Sequence, residues 1–162
     1  MDKKLQKAIN EQIKNEFYSS YLYLSMAAYF ESVNLEGFAH WMKIQAKEEQ
    51  GHGMKFFSFL NDRGVRVALQ AISQPPTDFA SAEDVFAQTL EHEKKVTNLL
   101  EKLQDLAKDL NDHSAIVLLN WFITEQVEEE KNATKIVETI KMLKGNVPAL
   151  IMLDRELAKR EG

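Results

Sequence analysis

The chain has 162 residues, 44% of them hydrophobic, with 20 Lys and Arg against 25 Asp and Glu and a formal charge of -5. That length and apolar share fill the core of one ordinary domain, 1–162, which excludes a peptide scaffold and a disordered tail, while the acidic balance argues against a nucleic acid partner. The absence of cysteine removes disulfides, thiolate catalysis, Cys-ligated zinc and iron–sulfur clusters, so any metal must be held by oxygen and nitrogen.

The opening Met1-Asp2-Lys3-Lys4-Leu5-Gln6 has no apolar signal-peptide core, and no stretch approaches the ~20 apolar residues of a membrane span, so a cytoplasmic protein without a membrane partner is expected. Only 6 Gly and 3 Pro punctuate the chain, and the stretches between them carry helical periodicity, which predicts an all-α fold. A first helix is expected over 3–32. Asn34 is a plausible N-cap for a second over 36–62, which Gly64 ends. Residues 64–81, with Pro75-Pro76, form the one long irregular stretch. Ser81-Ala82-Glu83-Asp84 resembles a capping box opening a third helix over 82–110. Asn111-Asp112 leads into a fourth over 113–143, stopped by Gly145, and Asn146 with Pro148 starts a short fifth over 147–159.

Loop lengths set the topology. Four helices of about 40 to 46 Å joined by tight turns must pair antiparallel, one with two and three with four. About 18 residues at 64–81 can span the bundle at ~3.3 Å each, so helices two and three run parallel. The expectation is a four-helix bundle with one long crossover.

Positions alternately three and four apart define the core seams. They read Ile9, Ile13, Glu16, Ser20, Tyr23, Ala27, Phe30 in the first helix and Phe38, Met42, Gln45, Glu49, His52, Phe56, Phe59 in the second. The third gives Phe86, Leu90, Glu93, Val96, Leu100, Leu103, and the fourth Ala115, Leu119, Phe122, Gln126, Glu129, Ala133, Ile136, Ile140, Leu143. Each seam is apolar at both ends and acidic in its middle. Counted from one end of the bundle, Glu16, Glu49, His52, Glu93, Gln126 and Glu129 fall within a slab of roughly 10 Å, comparable to the spacing of packed helices.

Such a cluster cannot stay buried and fully ionised, because each desolvated carboxylate costs several kcal/mol and like charges add to it. No Lys or Arg occupies a seam position. Either most carboxyls are protonated or cations neutralise them; two divalent ions balance Glu16, Glu49, Glu93 and Glu129. Oxygen-rich ligands with one imidazole suit Fe, Mn or Zn, and a redox task points to iron. Glu49-Gln50-Gly51-His52 places a carboxylate and an imidazole at i, i+3 on one helical face.

Three stretches carry a resemblance: Glu16-Phe17-Tyr18-Ser19-Ser20-Tyr21-Leu22-Tyr23, Gln45-Ala46-Lys47-Glu48-Glu49-Gln50-Gly51-His52, and Trp121-Phe122-Ile123-Thr124-Glu125-Gln126-Val127-Glu128-Glu129-Glu130-Lys131. Along its whole length the chain resembles the ferritin family, specifically the haem-free bacterial and archaeal ferritins. The resemblance implies that Glu16, Glu49 and His52 bind one iron, and that a bridging Glu49 with Glu93, Glu129 and nearby Gln126 serves a second. Tyr23 matches the family tyrosine that donates to or senses the di-iron centre, and Trp121 matches a neighbouring aromatic, for which core packing is the plainer role. Glu48, Glu125 and Glu128 match a third iron site.

The same resemblance implies a ferroxidase that oxidises Fe(II) with O2 or peroxide and stores ferric mineral inside a homo-oligomeric shell of about 24 subunits, with the fifth helix at a fourfold axis. A di-iron enzyme that consumes peroxide without storing mineral is the alternative. Departures narrow the subtype. Gln126, three residues before Glu129, breaks the second Glu-x-x-His pair of bacterioferritins, and Gln50 stands where their haem-binding Met would be, so no haem is expected. The lack of a Cys-ligated domain excludes a rubrerythrin. Gly51 and Gly53 flank His52 within a helix, at roughly 1 kcal/mol each relative to Ala. His40, His92 and His113 are expected at surfaces or interfaces.

Overall fold

A computed structural model of the chain describes residues 1–161, and among them the only regular elements are five helices: α1 Lys3–Ser32, α2 Glu36–Asp62, α3 Ala82–Asp109, α4 His113–Leu143 and α5 Val147–Leu157. α3 and α5 stop one and two residues short of expectation, at Leu110 and Ala158 as C-caps. Among the described residues no helix is long and apolar enough to cross a membrane.

The helix ends follow local chemistry. Ser81 Oγ accepts from Asp84 N–H at 3.1 Å, and the Asp84 carboxylate reaches back to Ala80 N–H at 3.0 Å, one residue earlier than a strict capping box. Asp112 and Asn146 cap α4 and α5 through Ala115 and Ala149 N–H. Asn34 is not the cap of α2. It lies at φ 60°, and the Leu35 and Asn34 N–H groups bond back to Phe30 and Glu31 carbonyls, so Asn34 closes α1 in the left-handed position. Asn111, at φ 53°, ends α3 the same way. Asparagine tolerates this conformation better than other non-glycine residues, which explains its use at both turns.

Two apolar clusters establish the topology. One joins the end of α1 (Tyr23, Phe30), the start of α2 (Phe38, Met42), the start of α3 (Phe86) and the end of α4 (Ile136, Ile140). The other joins the start of α1 (Leu5, Ile9, Ile13), the end of α2 (Phe56, Leu60), the end of α3 (Leu100, Leu103) and the start of α4 (Leu119, Phe122). Thus α1 and α4 run one way, and α2 and α3 the other. The crossover follows α1: Ala68 N–H donates to Asn10 Oδ1 at 2.7 Å, Ser25 Oγ to Pro76 O at 2.5 Å, and Phe79 packs on Tyr29 at 5.5 Å. The acidic belt lies between the two clusters.

The inward positions depart from the expected seams at five places, one of them the half-buried Glu129. Ser20, Phe59 and Leu90 are half-buried, whereas Ser19, Leu60 and Thr89 point fully inward. Leu143 is also half-buried. A straight helix drifts from a 3.5-residue repeat by about 20° per heptad towards later residues, which accounts for Leu60 in place of Phe59 at the end of α2, whereas Ser19 and Thr89 take the seam three rather than four residues on from Glu16 and Phe86 before it resumes at Tyr23 and Glu93.

α5 docks across the start of α2. A Cβ on Gly37 would lie 1.7 Å from Asp154 O, so only glycine permits this approach, and Phe38 N–H donates to Asp154 Oδ1 at 2.9 Å. Leu150, Leu153 and Leu157 pack on the first cluster. The opposite face leaves Val147, Ile151 and Met152 exposed, and no residue of α5 is fully buried.

Candidate metal centre

Each of the four long helices contributes a polar side chain to the belt. Glu16, Glu49 and Glu93 are 1 to 2% exposed, and Gln126 and His52 are also buried. Glu16, Glu49 and His52 each offer a ligand atom within 4.8 Å of the others, the one such group of three among the described residues. His52 Nδ1 stands 3.6 Å from Glu49 Oε2, as expected for i, i+3 neighbours on one face. The His52 ring is held edge-on against Trp121 and Phe122, each at 5.6 Å.

Glu93 belongs to a second arrangement beside this triad. The Tyr23 hydroxyl donates to Glu93 Oε1, and Gln126 Nε2 donates to Glu93 Oε2 at 3.1 Å and to its backbone carbonyl at 3.2 Å. Glu129 is only half-buried, not in a dry centre, and accepts from Gln45 Nε2 at 2.7 Å. The reason is a gap. α2 and α4 nowhere bring Cα atoms within 8 Å of each other, and a cavity of about 800 Å³ opens between them, lined by His52, Glu129, Glu48, Glu125, Glu128 and Trp121 among others.

Glu48, Glu125 and Glu128 line that cavity without forming a mutual ligand group. Glu48 pairs with Arg160 at 2.5 Å, and the guanidinium stacks over Trp41 at 4.3 Å. Trp121 is a wall of the cavity, not a core residue, with Lys55 Nζ 3.7 Å above its ring.

The electrostatics follow from burial. Desolvation, then the Glu49 carboxylate, pushes Glu16 up to about 8, although Gln12 donates to it at 2.7 Å. Desolvation, then Glu93 and Glu129, holds Glu49 well above the usual carboxylate range. Burial raises Glu93 against the opposing hydrogen bonds of Tyr23 and Gln126. Burial, then Glu93, raises Glu129 to about 7. The Tyr23 phenol is pushed upward by burial and then by Glu93, so it stays a proton donor. Without cations, the belt reduces its charge by holding protons.

Several belt groups carry no distinct signal in the sequence. Gln12 and Gln45 are buried donors to Glu16 and Glu129. Gln45 stands in the expected seam, but its role requires the rotamer. Thr97 Oγ1 stands 3.3 Å from Gln126 Nε2 and 3.1 Å from the Glu93 carbonyl oxygen, and donates its one hydrogen to Glu130 at 2.5 Å. His92 is not a surface group: it sits 2.8 Å from Ser19 Oγ and edge-on to Tyr23 at 5.8 Å, and burial lowers its pKa to about 4. His40 Nε2 lies 2.9 Å from Arg160 O, and His113 is exposed. Gly53 also has a reason, since a Cβ there would meet the Phe17 ring at 2.9 Å, whereas one on Gly51 would meet nothing within 4 Å.

The donor set fits hard divalent or trivalent cations: several carboxylates, one imidazole and amide oxygens. The buried Gln45 Oε1 also lacks a hydrogen-bond partner, an open acceptor on the amide whose nitrogen faces Glu129 and Glu49.

Comparison with known proteins agrees along the chain. The family model for the ferritin-like domain matches residues 6–143. A bacterial non-heme ferritin of Staphylococcus aureus is 36% identical over 160 residues, covering 99% of this chain and 96% of that protein. Its Staphylococcus saprophyticus counterpart is 38% identical over the same spans. The crystal structure of an open pore ferritin from the archaeon Archaeoglobus fulgidus superposes with a TM-score of 0.98 at 42% identity, over 99% of this chain and 98% of that one. With the family model spanning all four long helices and full-length relatives well above 30% identity, the chain belongs to the ferritin family.

Proposed function

We propose that this chain is the subunit of an iron-storing ferritin that oxidises Fe(II) to Fe(III) at the mid-bundle belt and deposits ferric mineral within a hollow homo-oligomeric shell. The observation that carries this reading is the convergence of Glu16, Glu49 and His52 within 4.8 Å, beside buried Glu93. Iron is substrate and cargo here. Glu16, Glu49 and His52 hold one Fe(II), and Glu49, Glu93, Glu129 and Gln126 serve a second. No haem is involved.

The chain's own groups prepare the binding. Protons on the belt carboxyls leave as cations arrive, so binding couples to proton release. Gln12, Gln126 and Gln45 orient the carboxylates that accept from them, and hard oxygen donors tolerate both oxidation states of iron. Tyr23, neutral and donating to Glu93, stands ready to supply a proton or an electron, and the oxidant is O2 or peroxide. Glu48, Glu125 and Glu128 bind a third iron along the cavity between α2 and α4.

Storage is favoured over peroxide removal without mineral by the near-complete match to proteins named ferritins. The exposed apolar face of α5 supports burial between subunits, in an assembly of about 24 copies. Anaerobic Fe(II) titration followed by air, run with light scattering, tests the reading. The expected result is two tight Fe(II) per subunit, rapid ferric absorbance on aeration and a particle near 450 kDa, about 24 times the 18.6 kDa chain. Slow autoxidation alone would overturn the ferroxidase, and a discrete dimer would overturn the shell.

A further inference from the structure

We propose that Gln45 supplies a further donor to the second cation: its amide N–H holds Glu129 in place, and its carbonyl Oε1 serves the cation between Glu49 and Glu129, directly or through a water that the cation carries. The inference rests on the metal-pair reading above.

Gln45 is 1% exposed and lies one helical turn before Glu49 on the same face of α2. Its Nε2 donates to Glu129 Oε2 at 2.7 Å and stands 3.5 Å from Glu49 Oε1. Once Glu49 and Glu129 are ionised, as they are with a cation bound, these two contacts fix the orientation of the amide, because exchanging its nitrogen and oxygen would set a carbonyl against carboxylate oxygens. Oε1 is then left over. It is the one buried side-chain nitrogen or oxygen without a hydrogen-bond partner among the described residues.

Leaving a buried acceptor open is costly, and an apolar side chain of similar size would fill this position without that penalty. Hard cations combine neutral amide carbonyl oxygens with carboxylates. Gln45 therefore divides the work between its two ends: one positions a carboxylate ligand and the other completes the donor set. Glu16, Glu49 and His52 form their group without it, so the first cation should be indifferent to its loss.

The test compares wild type, Gln45→Leu and Gln45→Glu by anaerobic Fe(II) calorimetric titration and by thermal melting of the metal-free proteins. Gln45→Leu is expected to keep the first Fe(II) within about twofold, to weaken the second by about tenfold or more, and to melt no lower than wild type. Gln45→Glu, which keeps an oxygen at this position, is expected to recover the second site. Wild-type affinity in Gln45→Leu would overturn the inference. So would equal weakening of both sites with a lower melting point, the mark of a packing residue, or failure of Gln45→Glu to improve on Gln45→Leu, which would leave only the clamp on Glu129. Fewer than two tight Fe(II) in the wild type would instead overturn the metal-pair reading, and this inference with it.

Discussion

Gln126 Nε2 donates at once to Glu93 Oε2 at 3.1 Å and to the Glu93 backbone carbonyl at 3.2 Å, tying α4 to α3 at the level of the acidic belt. The double contact fixes the carboxylate on the side away from Tyr23, whose hydroxyl donates to the other oxygen. Both oxygens of Glu93 are thus oriented before any cation binds.

Replacing Tyr23 with Phe removes one of those two donors and the phenol itself. Because Tyr23 sits in the belt and remains protonated, Tyr23→Phe should fold normally and bind Fe(II) with unchanged stoichiometry. The initial rate of ferric absorbance after aeration in a stopped-flow instrument is expected to fall severalfold. An unchanged rate would mean that Tyr23 only packs.

The raised carboxyls make metal-free stability depend on pH with a definite sign. Glu16 titrates near 8 in the folded chain against 4.5 for the free group. Between those values the folded state holds the extra proton, so this contribution is fully present below pH 4.5 and is lost as pH rises towards 8. Glu129, raised to about 7, acts in the same direction. Metal-free Glu16→Gln, which cannot ionise, should gain in melting temperature relative to wild type from pH 5 to 8. In the same window Fe(II) should bind wild type more tightly as pH rises, releasing protons measurable in buffers of different ionisation enthalpy.

The two glycines beside His52 should respond oppositely to alanine. Gly51 is exposed with open space around its Cβ position, so Gly51→Ala should stabilise the helix by about 0.5 to 1 kcal/mol. Gly53→Ala drives a methyl into the Phe17 ring and should destabilise by about 1 to 3 kcal/mol. Chemical denaturation of the two variants separates the cases.

Gly37→Ala tests the docking of α5. A methyl 1.7 Å from Asp154 O cannot be accommodated, so α5 must leave its seat on α2. Faster proteolysis after residue 143 and a smaller particle by light scattering are expected, with the α1 to α4 bundle retained by far-UV circular dichroism.

The bundle was legible because its signals are local and periodic. The seams, the tight turns and the length of residues 64–81 determine direction and crossover without tertiary information, and the acidic middle of each seam marked Glu16, Glu49, His52, Glu93 and Gln126. What escaped depends on particular rotamers or distant partners. The half-burial of Glu129 comes from the α2 to α4 gap, which no periodicity encodes. Arg160 reaches Glu48 across 112 residues, and His92 turns inward because Ser19 and Tyr23 offer it a polar and aromatic niche. Asn34 satisfies the composition of both an N-cap and a left-handed C-terminal residue, and only its φ separates the two.

The central claim is that multivalent cations replace protons on carboxylates gathered in the middle of the bundle. Anomalous diffraction at the iron edge, from crystals soaked anaerobically in ferrous salt, tests it most directly. Two peaks are expected, one among Glu16, Glu49 and His52 and one among Glu49, Glu93 and Glu129. No anomalous density within the belt, with iron only on exposed carboxylates, would contradict it.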